Sequence, residues 1–419
     1  MIRSPRNVAA SPHSCISASD TSFARQKAIY GWYRFVHRTC NFLYFDRISV
    51  VGEAPHFPPG PILFAALHRA GAVDGFVYNQ VLPPSQFLIS TQLVRSPLGR
   101  MFFAGVPMDR DKDGGSLPAR ALALDTCQQI LISGNRLVVF PEGASSLGPC
   151  HLPFKSGAAR LAYHASLSGV PVHVVPVGIH YESAGTFRSR VEVVIGKPIH
   201  LPSSSSLGDW RAALKNGLEE VGANFPNGTA QRDAESLARL SSLATRHRYY
   251  DSLKWAESGK AHALSYRWRD LDRLAAERRM LRDRELPLFP LGPWSVDATA
   301  LAFFAPLVVV GLVANAPPLL AGWAAGRILS DGENTVALWR ILIGVPLLIG
   351  WLISLFLILA GTLGIIPAIL YPLVSLAALR LFRRTRELAI ATWNGCRHRE
   401  HAPAFRSLHW MLTERLHTA

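Results

Sequence analysis

Cysteine is sparse: Cys15, Cys40, Cys127, Cys150 and Cys396 are the only five among 419 residues. An odd number at such scattered positions forms neither a disulfide framework nor a zinc-ligand motif, so a reducing compartment and no metal are expected. No acidic residue precedes Asp20, and the Ser-, Arg- and Pro-rich stretch before it holds no apolar run. A secretory leader is therefore not expected; residues 1–25 read as a disordered tail with a weak likeness to an organelle transit segment. Also missing are a zinc-finger spacing and the glycine-and-aromatic signature of RNA-reading sheets, so no nucleic-acid partner is expected. The last absence is of charge itself. Residues 298–326 carry no charged side chain over 29 positions, and residues 341–379 none over 39.

What is present fits those gaps. Lys and Arg number 44 against 29 Asp and Glu, a formal charge of +15 that draws the chain toward something anionic, and hydrophobic residues make up 49%. Together these favour lipid and phosphorylated substrates. Each uncharged run exceeds the roughly 20 residues of one membrane span. As one helix the longer run would measure about 58 Å against about 30 Å of hydrocarbon, so it must turn. Gly361 to Gly364, followed by Pro367, is the expected break there, and Asn315 to Pro318 breaks the earlier run. Arg380, Arg383, Arg384 and Arg386 after the second run predict a cytoplasmic flank. Two hairpins over residues 291–387, an integral membrane protein with its catalytic domain on the cytoplasmic face, and a C-terminal tail at 388–419 are the expected layout.

Ahead of the membrane part, residues 27–45 place aromatics among Lys27, Arg34, His37 and Arg38, the pattern of an amphipathic helix resting on a bilayer or on the adjoining domain. From Ile48 short apolar runs alternate with periodic segments: ISVVG at 48–52, ILFAAL at 62–67, FLIS at 87–90, RLVVF at 136–140, VHVVPVGI at 172–179 and the VEVVIG segment read as strands. Helices are expected over 74–81, 119–132, 154–169 and 208–223. This succession predicts an α/β domain over residues 26–228, a mostly parallel sheet flanked by helices. Residues 229–290, dense in arginine and acid with recurring Leu, Trp and Tyr, predict two or three helices, forming a basic cover near the bilayer or a solvated, salt-bridged face.

Four islands carry the chemistry: HRAGAVD at 68–74, GVPMDR at 105–110, FPEGASS at 140–146 and VVPVG at 174–178. His68 follows a strand, at the end where α/β folds expose reactive loops. A neutral imidazole there can take the proton of a hydroxyl as its oxygen attacks a thioester carbonyl, and Asp74 can hold the other ring nitrogen or cap the helix that follows. In order and spacing the islands resemble the glycerolipid acyltransferase family, which includes lysophosphatidate and glycerol-3-phosphate acyltransferases. The resemblance covers roughly residues 30–225. It departs from the family at one point: five residues separate His68 from Asp74 where the family has four, an insertion that Gly71 can absorb in a turn.

The resemblance implies His68 and Asp74 as the catalytic pair, and Arg110 as the arginine that grips the acceptor phosphate, for which its forked donors suit. It assigns acceptor binding to Glu142, Gly143 and Ser146. Ala144 and Ser145 stand where members often have Thr and Arg, and Lys155 is the candidate to compensate for the missing cation. Pro176 is expected beside the acyl-side pocket. The implied reaction is transfer of a fatty acyl group from acyl-CoA or acyl-ACP to lysophosphatidate, giving phosphatidate, with the lipid bilayer as partner and no cofactor. Acylation of glycerol-3-phosphate or dihydroxyacetone phosphate, and an inactive lipid-binding scaffold, are the alternatives.

Overall fold

The computed structural model describes residues 16–52, 57–109, 117–202, 204–244 and 248–417, with side chains from Tyr30 onward except those of Leu117, Ala244 and His417. The described residues open on helix α1 (Ile16–Tyr44), which begins before the expected amphipathic segment; of the predicted tail, residues 1–15 lie outside the described residues. The α/β part follows as β1 (Arg47–Val51), β2 (Ile62–Ala66), α2 (Val73–Val81), β3 (Gln86–Ser90), α3 (Pro97–Phe102), β4 (Val106–Met108), α4 (Leu117–Ile132), β5 (Arg136–Val139), α5 (Gly157–Leu167), β6 (His173–Tyr181), β7 (Arg190–Ile195) and α6 (Leu207–Val221).

Seven strands form one sheet in the order β1-β7-β6-β2-β5-β3-β4. All neighbours are parallel except β6 and β7, so β1 and β7 run against the rest. β2 lies centrally, and its unbroken apolar run ILFAA is buried at every position, as a strand covered on both faces requires. Alternation splits that run: Ile62, Phe64 and Ala66 face one core with α1 and α2, while Leu63, Ala65 and Leu67 face another with α4, α5 and α6.

α7 (Gly228–Ala244), α8 (Tyr249–Glu257) and α9 (His262–Glu277) are the helices expected in the basic segment, followed by a small hairpin, β8 (Arg282–Asp283) and β9 (Leu286–Pro287). They share a core with the chain's end. The region expected as a tail from residue 388 is instead helical: α13 (Ile365–Arg397) continues through it and α14 (Ala402–His417) follows. Phe405, Leu408 and Leu412, spaced as one helical stripe, pack with Leu237, Trp268 and Leu286.

Between these parts stand α10 (Trp294–Ala314), α11 (Ala316–Ile328) and α12 (Glu333–Thr362). α10, α12 and α13 are each long and apolar enough to cross a membrane. α11, with 13 residues, measures about 20 Å and is too short to do so alone. Both breaks fall where expected, at Asn315 and at Gly364, whose φ is 91°. Asn315 satisfies its own interruption: its amide donates to Gly311 O and Ser375 Oγ, Tyr371 donates to Asn315 Oδ1, and Trp351 Nε1 donates to Ala314 O. Hydrocarbon supplies no partners for a broken backbone, so neighbouring side chains must.

The α12–α13 hairpin starts and ends on the α/β domain. The lower part of α12 is core rather than lipid-facing, because Ala337, Leu338, Ile341, Leu342 and Val345 join the cluster of β2 and α2. Above it, residues 346–362 project as roughly 25 Å of helix, with Leu347, Ile353, Leu357 and Ile358 exposed. The uncharged run is thus only partly a membrane segment. The chain is a membrane protein in which one long helix changes surroundings midway.

Candidate active site

Three adjacent parallel strands, β6, β2 and β5, deliver their carboxyl ends to one place. β2 ends at Ala66, and Leu67 N still bonds to Val177 O of β6 at 2.9 Å. His68 comes next, free of the ladder, with its ring stacked on Phe140 at a centroid distance of 4.3 Å and an interplanar angle of 21°. Its side chain is 17% exposed, open enough to meet a substrate.

Nδ1 of His68 lies 2.9 Å from Oδ2 of Asp74. An ionised carboxylate only accepts, so Nδ1 carries the hydrogen and Nε2 is the basic nitrogen. Asp74, fully buried, is held on both oxygens: Oδ2 also accepts from Arg69 N at 2.6 Å and Ala70 N at 3.0 Å, and Oδ1 from Ala70 N at 3.1 Å and Tyr181 OH at 2.6 Å. Asp74 is therefore inside the first turn of α2, not its N-cap, which is Ala72. The extra residue is taken up in the turn, where Gly71 has a φ of 60°. A residue with a Cβ would be strained there.

Glu142, at the end of β5, is not open to a ligand hydroxyl. Its Oε1 accepts from His68 N at 2.9 Å and its Oε2 from Leu152 N at 3.1 Å, so it ties the His68 turn to the loop beyond FPEGASS. Burial pushes its carboxyl up, and those two N–H groups with Arg69 pull the other way. Gly143 has a φ of 69°, and a Cβ there would meet the Lys155 side chain at 2.9 Å, so Lys155 lies directly over the glycine. Ser146 N donates to His68 O at 3.0 Å, while Ser146 Oγ accepts from Gly148 N. His68, Asp74, Glu142, Gly143, Ser146 and Lys155 thus come together.

Two sequence-predicted residues stand apart. Arg110 lies outside the described residues. Pro176 alternates with Val175 and Val177 along β6, and its ring packs against Gly217 of α6, on the sheet face away from Phe140 and Tyr78. The structure gives it a helix-packing place and does not bring it to His68.

Others were not singled out by sequence. Arg69 donates from both terminal nitrogens to Gly148 O at 3.2 Å, setting a cation beside the His68 turn. Tyr181 is the last residue of β6, and burial, then the Asp74 carboxylate, hold its phenol well above the ordinary value, so it remains a donor at neutral pH. Tyr181→Phe should lower kcat by about tenfold with KM nearly unchanged, since a hydrogen bond to a charged group contributes about 1.5–3 kcal/mol. Equal kinetics in the folded variant would remove Tyr181 from the positioning of Asp74. Among the described residues no three His, Cys, Asp or Glu side chains gather as metal ligands.

Residues 47–180 match the Acyltransferase family model. The chain is 28% identical over 201 residues to a probable 1-acyl-sn-glycerol-3-phosphate acyltransferase of Mycoplasma pneumoniae, covering 44% of this chain and 74% of the relative. It is 31% identical over 135 residues to the Homo sapiens 1-acyl-sn-glycerol-3-phosphate acyltransferase alpha, covering 31% of this chain and 46% of that one. A shorter stretch of 63 residues is 43% identical to the Saccharomyces cerevisiae glycerol-3-phosphate O-acyltransferase 2, 15% of this chain and 8% of the yeast protein. The chain therefore spans most of the bacterial relative but less than half of the human one.

Proposed function

Because residues 47–180 belong to the glycerolipid acyltransferase family, we propose that this membrane enzyme transfers a fatty acyl group from acyl-CoA or acyl-ACP to the hydroxyl of lysophosphatidate, forming phosphatidate. The observation that carries the reading is the 2.9 Å contact of His68 Nδ1 with Asp74 at the carboxyl end of the sheet. Nε2 takes the acceptor's hydroxyl proton as that oxygen attacks the thioester carbonyl; Asp74 steadies the imidazolium. The tetrahedral intermediate collapses, the C–S bond breaks, and the imidazolium returns its proton to the departing thiolate. The ester forms directly on the acceptor, with no acyl-enzyme. The same contact weighs against an inactive scaffold, which has no need of an oriented imidazole.

Acceptor recognition rests on cations. Arg110 is the proposed phosphate clamp, and Lys155, lying over Gly143, is placed to add a second positive charge. Glycerol-3-phosphate is the second acceptor reading, favoured by the name of the yeast relative. The α/β domain is proposed to face the cytoplasm: Arg383 bonds to Glu182, so the basic flank of α13 and the domain share a side, and basic flanks stay cytoplasmic.

A kinetic split tests the clamp. Arg110→Lys keeps the charge but loses the bidentate fork, so KM for lysophosphatidate should rise about tenfold while KM for the acyl donor stays put. Equal changes in both constants, or none, would make Arg110 a surface residue.

A further inference from the structure

The start of α12 touches both halves of the site. Asn334 is its second residue, and its side-chain amide donates to Ser145 Oγ at 2.7 Å and to Ser145 O at 3.2 Å. Ser145 sits within FPEGASS, beside Ser146, whose amide holds His68 O. On its other side the backbone oxygen of Asn334 closes on the catalytic turn: a Cβ on Gly71 would lie 3.1 Å from it. Asn334 is therefore wedged between the turn that carries His68 and Asp74 and the loop that carries Gly143.

The wedge is firmly held. Two residues on, Val336 lies against Gly185, and further up Arg340 Nη1 donates to Gly185 O at 2.7 Å. Ile341 and Val345 then enter the domain core before the helix leaves for the membrane. Among the described residues, both hydrogen bonds of the Asn334 side-chain amide go to Ser145 and neither to its own helix.

We propose that Asn334 is a positioning residue of the acyl-transfer site, fixing the FPEGASS loop against the His68 turn so that the acceptor loop has its binding shape only with α12 seated. On this reading the membrane hairpin is a structural part of the active site and not merely its anchor. It rests on the proposed acyl-transfer function, and its specific consequence lies in acceptor binding.

The test uses the full chain in one lipid mixture, as Asn334→Ala, Ser145→Ala and the double variant. Each single change should raise KM for lysophosphatidate about three- to tenfold, the range of one or two neutral hydrogen bonds, with donor KM within twofold. The double variant should be no worse than the poorer single, because both remove the same contact. Additive losses, or equal shifts in donor and acceptor KM, would overturn the proposal. Amide hydrogen exchange separates this from the broader reading, since it needs no turnover. Asn334→Ala should speed exchange in residues 142–148 and leave β2 and β6 protected; unchanged exchange in that loop overturns the positioning role even where acyl transfer is intact. If no acceptor is acylated by the wild type, the function reading fails while exchange still decides whether Asn334 holds the loop.

Discussion

His68→Ala should lower turnover by about 10²–10⁴-fold in protein that stays folded and membrane-bound, the range of a positioned general base. The side chain is partly exposed and its imidazole stacks on Phe140, so its loss leaves no buried partner without solvent except the Asp74 carboxylate. That carboxylate keeps Arg69 N, Ala70 N and the Tyr181 hydroxyl, which is why the turn should survive. The deficit should appear in kcat with substrate KM little changed, because the proton is taken only as the new bond forms. Asp74→Asn should be a milder loss of at least about tenfold, since the imidazole remains but its charged form is no longer stabilised. Steady-state kinetics beside an unfolding measurement checks both variants. Near-wild-type turnover in folded His68→Ala would end the general-base account.

The second large effect is on stability. Glu182 follows Tyr181 directly and is 3% exposed at its side chain, where it meets Arg383 Nη1 at 2.6 Å and Arg284 Nη1 at 3.3 Å. Arg383 comes from α13 and Arg284 from the turn between β8 and β9, so one carboxylate joins the sheet to the membrane hairpin and to the helical part behind it. Removing it takes a carboxylate from two buried guanidinium groups, leaving Arg383 to Glu387 and Arg284 to the Arg188 carbonyl, and breaking a buried pair in this way costs about 3–5 kcal/mol. Glu182→Ala should accordingly lower the unfolding midpoint in detergent sharply and leave α13 open to protease. An unchanged midpoint would mean that solvent already screens the cluster.

The same group sets a pH dependence. Burial alone would raise the Glu182 carboxyl, but Arg383, Arg190 and Arg284 hold it below the ordinary value. A carboxylate depressed on folding contributes stability that is fully present above the unfolded value of about 4.3, and loses it as pH falls through the lower folded value. The wild type should therefore lose stability in acid faster than Glu182→Ala, narrowing the gap between them.

Much of the site was legible because its islands sit at strand ends. A run such as ILFAAL declares a buried strand, and a histidine just past it declares an exposed loop; Gly71 declares a turn able to take an extra residue. Tyr181 escapes this logic. By hydrophobicity its strand ends at Ile179, and only the antiparallel pairing of His180 and Tyr181 with Glu192 and Val191 extends it to Asp74. Pro176, expected beside the acyl-side pocket, is sent by strand alternation to the α6 face, where its ring meets Gly217.

The hairpins show a different limit. Residues 341–345 and residues further up α12 are equally apolar, and no hydropathy pattern separates a side chain facing a protein core from one facing lipid. The arginines after the second run read as a topological flank, yet Arg383 is ion-paired to Glu182 of the sheet domain, Arg386 to Asp283 of the β8–β9 hairpin, and Arg380 lies over the Phe42 ring at 4.0 Å. Asn334 meets Ser145 across 189 positions, a contact that no local spacing encodes. By contrast Phe405, Leu408 and Leu412 did carry a readable helical stripe through the region expected as a tail.

The most direct test of the central claim measures free thiol and ester product together, in purified protein supplied with acyl-CoA and lysophosphatidate. The account predicts one phosphatidate for each thiol released, with both lost in folded His68→Ala. Thiol release without ester formation, or ester formation undiminished in that variant, would contradict it.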